Sequence, residues 1–107
     1  MLEIDYDVHN GGWQRPIIKA NAPFELDPAN ATLHYSIECF EGLKAYITQD
    51  DRVMLYRPDK NFERMNNSHK QLGFPEYSGS EMVECLDDGS LPTSIVDVVV
   101  NLKHVVS

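Results

Sequence analysis

From Pro58 to Pro75 the chain carries a helical signal with its own start and stop, and this segment constrains the fold most. Phe62, Met65, His69 and Leu72 recur at the spacing of one helix face and predict one buried stripe. Asn61, Arg64, Ser68 and Gln71 follow the same spacing on the polar flank. Pro58-Asp59 opens the segment, with the Asp59 carboxylate placed to accept from the free N–H groups of the first turn. Gly73 suits the left-handed stop, and Pro75 forbids continuation. A second helix is expected from Ser78, because Ser78-Gly79-Ser80-Glu81 matches a capping box flanked by Tyr77 and Met82 as a hydrophobic staple. It runs through Met82, Val83, Cys85 and Leu86 until Gly89 and Pro92 end it.

Upstream, the period changes from helical to extended. Leu43–Ile47 and Val53–Tyr56 are β-prone runs joined by the polar Thr48–Arg52, which predicts a hairpin. Val53 and Leu55 fall on one face and Met54 and Tyr56 on the other, so such a hairpin needs cover on both sides. Residues 1–7 alternate loosely and read as a short strand; Asn10-Gly11-Gly12 reads as a turn. Trp13–Pro16 leaves that turn extended, since a residue before proline avoids the helical region, and Ile17-Ile18 begins another extended piece. Pro23–Asn30 reads as an irregular connector. Near the C-terminus, Ile95–Val100 is β-branched and nearly uncharged, a pairing-prone strand. The pattern as a whole is α/β in the α+β layout: a small antiparallel sheet with two helices packed to one side.

At 107 residues the chain holds one domain at most. A net charge of −8, with only nine Lys and Arg scattered along the chain, argues against a nucleic-acid surface. No apolar run approaches the ~20 residues a membrane span requires. The acidic Met1–Asp5 start has the character of neither a signal peptide nor a transit peptide, so a cytoplasmic protein is expected, with mitochondrial placement left open. Cys39 and Cys85 are too few and too far apart for a disulfide framework or a zinc site, and no metal ligands are assigned.

The stretch from Leu33 to Tyr46, Leu-His-Tyr-Ser-Ile-Glu-Cys-Phe-Glu-Gly-Leu-Lys-Ala-Tyr, is followed by Asn61-Phe62-Glu63-Arg64-Met65. Together they resemble the opening of the branched-chain amino acid aminotransferases, class IV enzymes dependent on pyridoxal 5′-phosphate. Gly11-Gly12-Trp13 and Phe24–Pro28 add weaker likeness. The resemblance runs from about Met1 to Asp88 and fails afterwards. It therefore implies a partial small N-terminal domain of the fold-type IV aminotransferases over residues 1–88, followed by a divergent tail over 89–107, and the chain is expected to be a truncated form.

An arginine on a helix flank, read alone, is an ordinary solvated residue. The resemblance makes Arg64 the cofactor-phosphate contact, a role suited to the planar, always-charged guanidinium. Tyr35, Phe40 and Gly42 match positions lining the pocket for the substrate side chain. An apolar wall there gains about 0.8 kcal/mol per buried methylene, and a glycine lets a ligand approach the backbone. Core packing is the plainer reading of Tyr35 and Phe40. Glu38 and Glu41, three apart, have the look of an acid/base pair but more simply flank apolar residues on a short turn, and neither is assigned catalysis.

Lys19, Lys44, Lys60, Lys70 and Lys103 all fall outside the family's Schiff-base context, and the region carrying that lysine has no counterpart here. Lys44, Lys60 and Lys70 read as solvated surface. The resemblance thus implies amino transfer from leucine, isoleucine or valine to 2-oxoglutarate in a homodimeric enzyme, with this chain alone inactive, retaining no cofactor and holding no catalytic residue. The competing reading is a non-catalytic fragment that associates with full-length subunits. A plain acidic domain in which the motif is only core is the third.

Overall fold

The structure, a computed structural model, describes residues 1–87. The strand expected over Ile95–Val100, the helix break at Gly89 and Pro92, and the tail from residue 89 lie outside the described residues. The chain divides into two units, the described part of the first running Met1–Glu38 and the second beginning at Cys39.

In the first unit, β1 (Leu2–Glu3) pairs antiparallel with β4 (Ile17–Ile18), and β2 (Tyr6–Asp7) with β3 (Gly12–Trp13). The strand expected over residues 1–7 is therefore interrupted. Asp5 O accepts from Gln14 N at 2.8 Å, and Glu3 stands opposite Ile17, so the single residue Ile4 faces both Arg15 and Pro16. This is a bulge, and Pro16 explains it: a residue with no N–H cannot donate to the ladder. Leu2 and Ile4 are buried. The turn falls where Asn10-Gly11-Gly12 predicts it. A 3₁₀ turn over Val8–Asn10, capped by Asp7 Oδ1 accepting from His9 N at 2.9 Å, ends in Gly11 at φ 84°.

The connector through Pro28 is irregular, as expected. It then closes into a helix that the sequence reading did not include: α1 (Ala31–Tyr35), capped by Asn30 Oδ1 accepting from Thr32 N at 2.9 Å. His34 Nε2 lies 2.6 Å from Pro28 O and ties the helix back to its connector.

The second unit opens with an irregular segment and continues into the expected hairpin, β5 (Ala45–Ile47) against β6 (Val53–Leu55). Thr48 N donates to Arg52 O at 2.9 Å, which narrows the loop to Gln49-Asp50-Asp51. Asp51 at φ 56° fills the left-handed last position of such three-residue loops.

Pro58 begins α2 (Pro58–Leu72). Asp59 does not cap it. It lies inside the first turn, so its carboxylate meets the Arg57 side chain (Nη2 to Oδ2, 3.2 Å), although its charge still complements the helix N-terminus. Gly73, at φ 70°, stops the helix as expected. Gly73 N donates to Lys70 O at 3.3 Å and Phe74 N to His69 O at 2.8 Å, the two bonds of a Schellman motif. Ser78 Oγ accepts from Glu81 N at 3.4 Å at the start of α3 (Gly79–Asp87), as the capping-box pattern predicts.

Phe62, Met65 and His69 of α2 and Met82 and Leu86 of α3 form the buried set of this unit. Each apolar member contributes roughly 1.5–3 kcal/mol relative to exposure. Leu72, expected in the stripe, is exposed: it sits in the last turn, where the chain reverses at Gly73. Asn66 fastens the return. Its Nδ2 donates to Tyr77 O at 2.7 Å and its Oδ1 accepts from Tyr77 N at 3.1 Å. His69 Nδ1 lies 2.9 Å from Pro75 O, and its ring meets Phe74 and Tyr77 edge-on at 5.8 and 5.3 Å.

The α+β class and antiparallel pairing stand as expected. The pairing is divided among three two-stranded ladders, and three α-helices rather than two are present among the described residues.

Candidate functional site

Arg64 projects from the polar flank of α2, two turns from the helix start. Its guanidinium is held from one side: Nε and Nη2 both donate to the Glu41 carboxylate, one nitrogen to each oxygen. Glu41 is in turn fixed to the second unit. Gly42 N donates to Glu41 Oε1 at 2.8 Å, and Asn61 Nδ2 donates to Glu41 Oε1 at 3.3 Å and to Gly42 O at 2.7 Å. The loop before β5 and the first turns of α2 are thereby joined by one polar network.

The two partners differ in exposure. The Arg64 side chain is 68% exposed and that of Glu41 only 14%. The Arg64 hydrogen bonds hold the Glu41 carboxyl below the ordinary glutamate range, with Gly42 and Asn61 acting in the same direction. Glu41 likewise raises the Arg64 guanidinium above its usual value. A guanidinium has five N–H donors, and a side-on carboxylate takes two of them. The edge formed by Nη1 and the second N–H of Nη2 is left for another oxyanion.

Phe40 is 91% exposed, directly before Glu41 in the chain, and Gly42 directly after it has nothing within 4 Å of where a Cβ would stand. The network therefore gathers Gly42 and Arg64, with Phe40 on the same loop. Tyr35 belongs to the first unit, at the end of α1, and is 77% exposed. Core packing, the plainer reading of both aromatics, is not what either does among the described residues.

Sequence reasoning missed Glu41 and Asn61 as partners of the site. One signal was available for Glu41, a carboxylate set between an aromatic residue and a glycine. Glu38, three residues earlier, is exposed and lies in the first unit, so the carboxylate pairing considered from spacing does not describe Glu41, whose partner is Arg64. Deeper in the unit, burial raises the Cys39 thiol and the Tyr77 phenol, the latter with added effect from Cys39 and Glu41.

A phosphate ester fits one end of this arrangement, since the open guanidinium edge matches its oxygens. Among the described residues the lysines Lys19, Lys44, Lys60 and Lys70 are all exposed, Lys19 paired with Glu3 and Lys60 with Glu63. Among the described residues no group of three or more His, Cys, Asp or Glu could hold a metal ion, and no helix is long and apolar enough to cross a membrane.

No family model matches the chain. Individual relatives do. Over its N-terminal four-fifths the chain is similar to branched-chain amino acid aminotransferases, as its motifs suggested. It is 41% identical over 88 residues to the branched-chain-amino-acid aminotransferase of Monosiga brevicollis, covering 82% of this chain and 22% of that protein. It is 42% identical over 86 residues to branched-chain-amino-acid aminotransferase 2 of Bacillus subtilis, covering 80% and 23%. It is 46% identical over 86 residues to a probable branched-chain-amino-acid aminotransferase of Staphylococcus epidermidis, covering 80% and 24%. The chain thus spans about a quarter or less of the length of these relatives.

Proposed function

We propose that this chain supplies the phosphate-facing and side-chain-facing surfaces of a pyridoxal-phosphate-dependent branched-chain amino acid aminotransferase. What supports the reading is the similarity to such enzymes over the segment containing Tyr35, Phe40, Gly42 and Arg64. Pyridoxal phosphate, when bound, supplies the electron sink for exchange of an amino group between an amino acid and a 2-oxo acid. Arg64 binds the phosphate through its open edge, fixing one end of the cofactor by charge and geometry. Phe40 and Tyr35 offer aromatic surface to a branched aliphatic side chain, and Gly42 leaves room beside the backbone. The donors are leucine, isoleucine and valine, the acceptor is 2-oxoglutarate, and the working enzyme is a homodimer.

Each of the described lysines is exposed, and the chain by itself is expected to be inactive. Mixed with pyridoxal phosphate, leucine and 2-oxoglutarate, the purified protein is expected to form no glutamate. The stronger test replaces the matched 86-residue segment of the Bacillus subtilis relative with this chain's own. The chimera is expected to retain cofactor and to transaminate leucine. A folded, cofactor-loaded chimera inactive toward all three branched-chain amino acids would overturn the proposal.

A further inference from the structure

Arg64 is the exposed member of its ion pair, and a long exposed arginine normally samples many rotamers, each of which must be given up when it grips a ligand. Here that freedom is already removed. Glu41 engages the guanidinium from the Nε side with both oxygens, which sets the plane of the fork as well as its position. Glu41 cannot drift with it, because Gly42 N holds it at 2.8 Å and Asn61 Nδ2 at 3.3 Å, and Asn61 is itself held to Gly42 O at 2.7 Å. Asn61 stands one helical turn before Arg64 on α2, so the ring of contacts closes on the same rigid helix.

We propose that Glu41 is a positioning residue for a phosphate-ester ligand. By occupying the Nε edge of Arg64, it presents the remaining Nη1–Nη2 edge in a fixed orientation as a bidentate phosphate donor. This rests on the reading of Arg64 as the phosphate contact and adds what selects the ligand. Glu41 largely offsets the arginine's charge, so recognition depends on the shape of the fork more than on net attraction. A competing account makes Glu41 a stand-in for the phosphate that must leave before the ligand binds.

The two accounts predict opposite results in one titration. The 107-residue chain, labelled with ¹⁵N, is titrated with pyridoxine 5′-phosphate, which has no aldehyde to react with lysines, and with pyridoxine as the unphosphorylated control. The readouts are the Arg64 Nε–H and Nη resonances. In the wild type the phosphate ester at millimolar concentration, bound too weakly to be retained on purification, is expected to shift the Nη signals while the Nε–H signal stays slow to exchange, and pyridoxine to shift neither. Glu41→Gln is expected to weaken binding about tenfold, the lower end of what loss of an outer-shell partner costs a metal site. Glu41→Asp, which keeps the charge but shortens the reach, is expected to lose affinity similarly, with the backbone amide spectrum of α2 unchanged in both variants away from Asn61 and Arg64.

Equal or tighter binding by Glu41→Gln, or wild-type affinity in Glu41→Asp, would overturn the positioning role while leaving Arg64 as the contact. Loss of the Nε–H signal on saturation would likewise favour the displaced stand-in. If the wild type showed no phosphate-specific shift at Arg64, both the contact and the role given to Glu41 would fall.

Discussion

In the second unit, α2 and α3 enclose Phe62, Met65, His69, Met82 and Leu86, whereas the hairpin beside them in sequence leaves Tyr46, Ile47, Val53 and Met54 about half exposed. The two regions carry comparable apolar side chains. They differ in how the apolar surface is distributed. The helices gather theirs on one stripe each, so two helices joined by a short return can satisfy one another. The hairpin carries apolar groups on both faces, and two strands alone cannot cover two faces. The polar link between the regions, from Glu41 to Asn61 and Arg64, joins the loop before the hairpin to the helix and covers neither face.

The widest separation of the two regions should come from matched truncations. Phe62→Ala is expected to cost about 3–5 kcal/mol, because it empties a buried site. Met54→Ala should stay within about 0.5 kcal/mol, as a half-exposed surface change. Chemical denaturation followed by the helical circular-dichroism signal measures both, and comparable losses would break the contrast.

If the exposed groups serve a ligand, their loss should appear in binding and leave folding intact. In the chimera, Arg64→Ala is expected to weaken cofactor retention by about 1.5–3 kcal/mol, roughly ten- to hundredfold. Phe40→Ala should chiefly raise the apparent KM for leucine. Release of cofactor by Phe40→Ala with retention by Arg64→Ala would reverse the two assignments.

Asn66→Ala sharpens the helical side of the comparison. It leaves the Tyr77 N–H and C=O without the side-chain amide that pairs both, at an expected cost of about 1–3 kcal/mol. Denaturation midpoints check this, and a neutral result would mean that the return between α2 and α3 closes without that clasp.

The smallest effect belongs to the link itself. The Glu41 carboxyl is lowered in the folded chain, so its contribution is present above the ordinary glutamate value near 4.5 and is lost as pH falls through the depressed folded value. Exchange protection of the Gly42 N–H should therefore persist from neutral pH down to about that value and fail below it. Protection lost already near pH 6 would show that the Arg64 pairing does not hold in solution.

Much of the helical region was legible because periodicity and punctuation agree there: Pro58 opens α2, Gly73 closes it, and Ser78 begins the next helix. Leu72 was misplaced because periodicity cannot tell where a partner helix stops covering a stripe. Asp59 was misread by two positions, enough to turn a cap into a residue of the first turn. α1 has five residues and no buried side chain, so no apolar period announces it, and only Asn30 marked its start. At the candidate site, the family-like motifs pointed to Arg64, Phe40, Gly42 and Tyr35, but not to the network around Arg64. Glu41 and Arg64 are 23 residues apart, and a polar pairing at that separation leaves no pattern in either local segment.

The bulge at Arg15 and Pro16 carries a further consequence, one of parity. Side chains on a strand alternate between two faces, so a ribbon with one unmatched residue swaps the face assignment of everything beyond it relative to the partner strand. Leu2 lies opposite Ile18 only because Ile4 faces two residues where every other paired position faces one. Removing Pro16 would leave the ribbon nearly the same length, restore a donor-competent ladder and keep Ile18 across from Leu2, whereas an unbulged ladder over the intact sequence would bring Ile17 there instead. For this stretch of chain, whether the count of residues is odd or even matters more than which residue is lost.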